Sequence, residues 1–165
     1  MKEINKSEVV NLLWTGGWDS TFRLLQLLFK EKLEVQPHYL MRSEQQSGKE
    51  IDTMVNIRRH LSREYPETRK LLRPFILKDA SDIYLDPDID RIHKCLSEKK
   101  KVNYQYKELA CYCREIEVTD MELSIISLEK EIVYSKLFNR FSLPLLDRTK
   151  LDIYEIAKKT IGWIS

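Results

Sequence analysis

Glycine is scarce in this chain, four among 165 residues, and proline numbers only five, so neither a glycine-rich nor a polyproline linker divides it. Cysteine is sparse as well: Cys95, Cys111 and Cys113 are odd in number and do not suggest a disulfide framework, which agrees with a reducing compartment. No apolar run approaches the roughly 20 residues of a membrane span. The polar opening Met1-Lys2-Glu3-Ile4-Asn5-Lys6 lacks the apolar core of a secretory signal. A cytoplasmic protein with no membrane partner is the expectation. An excess of one charge is missing too, since 28 Lys and Arg against 26 Asp and Glu leave a net charge of +2. No global field then demands nucleic acid or an anionic surface, and an anionic ligand must be held locally.

What is present reads as one α/β domain, long enough to bury a real core and too short for two. Glu8 to Trp14 is a short apolar run ending at the doublet Gly16-Gly17, the pattern of a buried strand closed by a turn. Phe22, Leu24, Leu25, Leu28 and Phe29 predict a helix over about 21–30. A second strand is expected over Val35–Met41, then a helix from about Lys49 to Glu64. Ser47 with Glu50 reads as the capping box of that helix, and Pro66 stops it. Pro74–Leu77 suggests a third strand. One or two helices are expected within 92–115, broken near Lys99-Lys100-Lys101, with Tyr106, Leu109, Ala110 and Cys113 as the inward stripe of the second. Met121, Leu123 and Ile125 alternate as in a half-exposed or edge strand, and Leu143–Leu146 is a last short one. Thr149 with Asp152 opens a final helix ending near Gly162. Alternating β and α segments at this spacing predict a mostly parallel sheet with helices on both faces.

The chemistry concentrates in Thr15-Gly16-Gly17-Trp18-Asp19-Ser20-Thr21. A glycine turn between a buried strand and a helix places backbone N–H groups and the positive end of the helix dipole beyond the carboxyl edge of the sheet, where phosphates bind. Gly16 and Gly17 allow close approach or positive φ, and Thr15, Ser20 and Thr21 add hydroxyls. Asp19 beside a phosphate would repel it unless a divalent cation lies between them, so Asp19 implies magnesium. The Walker A loop needs Lys where Asp19 stands, and the dinucleotide fingerprint needs a third Gly that 21–30 does not contain. The bland alternative is a tight turn in which Asp19 or Ser20 merely caps the helix.

The segment resembles the PP-loop ATP pyrophosphatases (adenine nucleotide α-hydrolase-like), whose signature is Ser-Gly-Gly-x-Asp-Ser after the first strand, with Thr15 here in place of the first Ser. Within that family the chain is most similar to the 7-cyano-7-deazaguanine synthase group of queuosine biosynthesis. The stretches that carry this likeness are Asn103-Tyr104-Gln105-Tyr106-Lys107-Glu108-Leu109-Ala110 and Leu143-Pro144-Leu145-Leu146 with Thr149-Lys150. The likeness covers most of the chain in the order of its elements, and the loop is its specific part. That group continues into a cysteine-rich, zinc-binding segment, whereas this sequence stops at Gly162-Trp163-Ile164-Ser165. The expectation is a single PP-loop domain over 1–165, either cut at its C-terminus or a reduced relative, with no zinc of its own.

The resemblance implies a Rossmann-like three-layer sandwich on a five-stranded sheet, with ATP and magnesium as cofactors. It further implies adenylation of a small carboxylate or carbonyl substrate with release of pyrophosphate. Trp14, Thr15, Gly16, Gly17, Trp18, Asp19, Ser20 and Thr21 would surround the phosphates, Leu40 and Met41 the adenine, and Asp19 would carry the metal. Asp19 and Lys150 are the candidate catalytic residues, Lys150 being alternatively a solvated first-turn lysine. Other readings stay open: a nucleotide-binding module without its own catalysis, or a tRNA-modifying enzyme whose lysine run Lys99–Lys101 meets nucleic acid. A homodimer is left open as well.

Lesser features have plainer readings. Asp86, Asp88 and Asp90 resemble the opening of a calcium loop, but Arg91 and Ser97 stand where Gly and Glu are required, so a solvated acidic turn is expected. His38, His60 and His93 form no ligand spacing and are expected at the surface or satisfied. Cys111 and Cys113 would point about 200° apart on a helix, as buried thiols rather than shared ligands. Trp14 and Trp18 either stack on the nucleotide or pack the sheet.

Overall fold

The computed structural model describes residues 9–99 and 102–124. The first strand, β1, is Val9–Leu13, and its chain passes through a glycine turn into helix α1, Trp18–Leu25. Extended backbone at Gly17 (φ −69°, ψ 166°) sets the helix start three residues earlier than the apolar stripe suggests. A π-helical turn, Gln26–Glu31, continues the same rod and ends at Lys32, whose left-handed φ of 55° turns the chain back. Strand β2, Glu34–Met41, follows, then the long helix α2, Glu44–Glu64, and a single helical turn, α3, Thr68–Leu71. Strand β3 is Ile76–Asp79, and helices α4, Pro87–Lys99, and α5, Tyr104–Glu115, complete the described elements.

The sheet is parallel and ordered β1-β2-β3, with Leu13 opposite His38 and His38 opposite Ile76. Each parallel pairing requires a crossover, and α1 and α2 supply them. On the other edge of β1, Glu122 forms a parallel bridge: Leu13 N–H donates to Glu122 O at 3.0 Å, and Glu122 N–H to Asn11 O at 2.7 Å. β1 is therefore flanked on both edges, by β2 after α1 and by the residues around Glu122 much later in the chain.

Side-chain alternation divides the core. Leu12, Trp14, Val35 and Tyr39 point to one side, where they cluster with Phe22, Leu24 and Leu25 of α1 and Met54, Ile57 and Leu61 of α2. Leu13 and Leu40 join the opposite cluster, built with Ile89 of α4, Leu109 and Tyr112 of α5, and Met121 and Leu123. Among the described residues no helix is long and apolar enough to cross a membrane.

Four expectations need correction. The helix α2 opens at Ser43, which as N-cap accepts from Gln46 N–H at 3.4 Å through its Oγ; Ser47 lies inside the helix and accepts from Arg42 N–H at 3.1 Å. The third strand is shifted two residues toward the C-terminus. Pro74 has no N–H to give the ladder, and its carbonyl is taken by Gln36 Nε2 at 2.8 Å. Around Glu122 the alternation is real but not half-exposed: Met121 and Leu123 enter the second cluster, while Glu122 is buried on the other side against Arg23 of α1. Finally, His93 is buried with its Nε2 unpartnered among the described residues, neither at the surface nor satisfied. The expected Leu143–Leu146 strand, the helix after Thr149 and Lys150 itself lie outside the described residues, as does Ile125.

Candidate functional site

In a parallel sheet all strands end on one side, and a crevice forms there where neighbouring connections diverge. Here that place is the carboxyl end of β1, between β2 and the Glu122 bridge. A cavity of about 360 Å³ occupies it, within the range of small-molecule sites. Its wall is made from the first turns of three helices: Asp19 and Ser20 of α1, Gln46 and Ser47 of α2, and Gln105 and Tyr106 of α5. The positive end of a helix favours an anion, and first-turn residues of all three helices reach this cavity.

The glycine loop is held from below. Gly16 has φ +73°, and a Cβ there would lie 3.1 Å from Met54 Cγ and 3.3 Å from Glu50 O, so only glycine lets the loop lie against α2. Gly17 is the N-cap of α1 and has no side chain to cap it. Ser20 Oγ instead accepts from Thr15 N–H at 3.3 Å, lies 3.3 Å from Thr15 Oγ1 and reaches Gly17 O, knitting the loop to itself.

Of the sequence-selected residues, Thr15, Gly17, Trp18, Asp19, Ser20 and Leu40 are brought together around the cavity. Trp14 is not among them: it is fully buried, its indole donates to Thr21 Oγ1 at 3.0 Å, and its ring meets Phe75 at 6.1 Å. Of the two readings for Trp14, packing the sheet is the one observed, and Thr21, also fully buried, turns its hydroxyl toward that indole. Gly16 is buried behind the loop, and Met41 packs on the α1/α2 cluster.

Sequence reasoning passed over Tyr39, Arg42, Gln46 and Glu50, which also line the cavity. The signal for Arg42 was its place as the first residue past the carboxyl end of β2, where such sites form. The charged lining residues among those described are Asp19, Glu50 and Arg42. Glu50 accepts from Tyr39 Oη at 2.5 Å and from Gln46 Nε2 at 3.3 Å. Burial, reinforced by Glu50, pushes the Tyr39 phenol up to about 12. Arg42 Nη2 is 2.6 Å from Glu108 Oε2 on α5, close enough for an ion pair but without hydrogen-bond geometry.

No group of three or more His, Cys, Asp or Glu side chains among the described residues is arranged to hold a metal. Of the two carboxylates lining the cavity, Glu50 is bonded to Tyr39 and Gln46, and Asp19 on the loop could hold magnesium shared with phosphate oxygens and water, the usual mode for that ion with nucleotides. Elsewhere the acidic turn is committed to structure: Asp86 Oδ1 accepts from Asp88 and Ile89 N–H groups and caps α4, while Asp90 pairs with Lys94 and Lys107. Hydrogen bonds from Lys107 and Lys94 hold the Asp90 carboxyl down at about 2. Cys111 and Cys113 are both buried on α5, and desolvation pushes the Cys113 thiol up to about 12.

Fold and site together define an α/β protein with a three-strand parallel sheet and a cavity of mixed polar and apolar lining at its carboxyl edge. No family model matches the sequence, and no curated protein matches it significantly.

Proposed function

We propose that this chain is an ATP-binding enzyme of the PP-loop type that adenylates a small carboxylate, such as a deazapurine acid, on a Rossmann-like five-stranded sheet. The observation that carries the proposal is the loop Thr15–Ser20 forming one wall of a cavity at which the first turns of α1, α2 and α5 converge. The β- and γ-phosphates lie against Gly17, Ser20 and the amino end of α1, and the adenine lies toward Leu40. Asp19 would hold magnesium, which when bound would offset the repulsion between that carboxylate and the phosphates. An oxygen of the acceptor carboxylate attacks the α-phosphorus, the bond to the bridging oxygen breaks with its electron pair on that oxygen, and pyrophosphate leaves with an acyl adenylate formed. Ammonia or a sulfur donor then displaces AMP. The side chains act by positioning and by charge, so no nucleophilic residue is required.

With magnesium, ATP and candidate acids, AMP and pyrophosphate should accumulate together. Asp19→Asn should weaken magnesium-ATP binding and reduce turnover at least about a hundredfold, the scale of one lost electrostatic contact. Unchanged magnesium-ATP affinity of that variant in calorimetry would remove Asp19 from the role. ATP binding by the wild type without AMP release, across the acids tried, would favour a binding module over an enzyme.

A further inference from the structure

Beneath the mainly apolar layer of α1 and α2 lies an ionic cluster. Arg23 of α1 is buried, with Nε donating to Glu122 Oε2 at 2.8 Å, Nη2 to Glu122 Oε1 at 3.1 Å and Nη1 to Glu31 Oε1 at 2.5 Å. Glu122 is as deeply buried as Arg23. Taking such charges out of water offsets most of their mutual attraction, so a buried pair adds little stability over apolar side chains of the same size; its best-attested use is to fix a register. A register is in question at this place. Among the described residues, 121–124 meets β1 through one bridge, in which Leu13 N–H donates to Glu122 O and Glu122 N–H to Asn11 O. Alternation forbids a slip of one residue, which would turn Met121 and Leu123 out of the second cluster and Glu122 into it. A slip of two residues keeps both apolar side chains on their own side, so packing alone does not forbid it. It would move the segment by about 6.6 Å, carrying Leu123 and Ser124 away from their places in the cavity lining. It would also leave Arg23 facing Asp120, one methylene shorter, or Ser124, which has no charge.

We infer that Arg23 is the positioning residue for one wall of the cavity: closed on both oxygens of Glu122, its fork locks 121–124 in the register that sets Leu123 and Ser124 at the site. Arg23 stands one turn beyond Asp19 on α1, so a single helix carries the loop at its amino end and fixes the 121–124 wall from its next turn. Glu31 takes Nη1, the donor that Glu122 does not use. Charge here specifies an arrangement that apolar side chains would leave open. The inference rests on the adenylation reading only for its effect on AMP release.

Neighbouring amides of β1 report on its two edges separately: Leu13 N–H bonds to Glu122 O, and Trp14 N–H bonds to His38 O of β2. In Arg23→Met/Glu122→Met both members of the pair become apolar together, so the urea midpoint should stay at or above that of wild type. Hydrogen exchange followed by NMR should nevertheless quicken at least about tenfold at the amides of Leu13 and residue 122, with Trp14 changing less than about twofold. AMP release from magnesium-ATP and acid should fall at least about tenfold in the same variant. A pair that only stabilised the fold would lower the urea midpoint and move the Leu13 and Trp14 amides together. Wild-type exchange at Leu13 in the double variant, or an acceleration shared equally with Trp14, would overturn the assignment. If the double variant does not fold, Arg23→Lys decides, because it keeps the charge and loses the fork. Leu13 exchange should then quicken at least about threefold with Trp14 unchanged, and wild-type exchange at Leu13 overturns the lock. Faster Leu13 exchange with AMP release at the wild-type rate would overturn the positioning role, since the register would not matter to the site. Faster Leu13 exchange in a protein whose wild type releases no AMP would leave the lock standing and remove the adenylation.

Discussion

On the side of the sheet covered by α1 and α2, the packed centre is Leu12, Trp14, Phe22, Leu24, Leu25, Met54, Ile57 and Leu61, each almost wholly removed from water. On the side covered by α4 and α5, apolar residues alternate with groups that need partners. His38 Nδ1 lies 2.9 Å from Tyr112 Oη and its Nε2 lies 3.0 Å from Asn11 Oδ1. Lys107, buried on α5, is bonded to Asp90 at 2.8 Å and sits 4.1 Å from the Tyr104 ring centre. The contrast follows from physics. Apolar transfer and close packing hold the first side, and they depend on shape. Satisfied polar groups help hold the second, and they depend on charge state. The first side should therefore answer to truncation and the second to pH.

The largest effect is expected at Trp14. Trp14→Ala removes the biggest fully buried side chain on the α1/α2 side and strands the Thr21 hydroxyl, so urea unfolding should show a loss of about 3–5 kcal/mol. A loss below about 1 kcal/mol would mean that the first side is not held by packing.

The next effect belongs to His38. Desolvation lowers its pKa from 6.5 to about 4, so the folded protein keeps the ring neutral where the unfolded chain protonates it. The unfolded state binds the extra proton first, and stability should fall as pH drops from about 6.5 toward 4, by about 3 kcal/mol in all, then level off. The groups touching the ring do not titrate in that window: burial pushes the Tyr112 phenol up to about 12, and Asn11 carries no charge. Carboxyls held low by hydrogen bonds, such as Asp86 and Asp90, lose their stabilising contribution only below about pH 4. His38→Gln should erase the limb between 6.5 and 4 in a series of denaturation curves. A limb that persists in His38→Gln would assign the pH dependence elsewhere.

The same contrast explains what could be read from residues alone. The first side was legible because strand, glycine doublet and apolar stripe lie within 25 residues, and local periodicity reports directly on a packed face. The parallel character of β1, β2 and β3 followed from their spacing. The second side was legible only as a helix with an inward stripe. Its defining contacts join distant residues, as His38 with Tyr112 across 74 positions, and the first side has one such pair of its own, Arg23 with Glu122 across 99. No periodicity encodes such pairs, and Glu122 in an alternating run reads naturally as solvent-facing until a buried arginine is found opposite it. The loop stood out as a candidate because its residue types are rare together. Arg42 did not, because the cavity it lines forms only after the elements around β1 and β2 are assembled.

The smallest stability effects, and the sharpest division of labour, are expected at the two glycines of the loop. Gly16→Ala must hold a side chain at φ +73° at a cost of about 1–2 kcal/mol. It must also fit a methyl group 3.1 Å from Met54 Cγ and 3.3 Å from Glu50 O, the latter a helix backbone atom that cannot swing aside. Gly17→Ala meets neither problem, since its backbone is extended and the nearest atom, Thr15 Oγ1, is an ordinary 3.5 Å away. Replacing that N-cap should cost no more than about 1 kcal/mol. Gly17 faces the cavity, however, so its new methyl would occupy the space a phosphate needs. The expected pattern is a crossing: Gly16→Ala less stable in urea, with magnesium-ATP affinity near wild type where it folds, and Gly17→Ala nearly as stable as wild type with that affinity reduced at least about tenfold. Parallel losses in both measurements for both variants would mean that the loop is a structural turn belonging wholly to the α1/α2 side, with no separate role at the cavity.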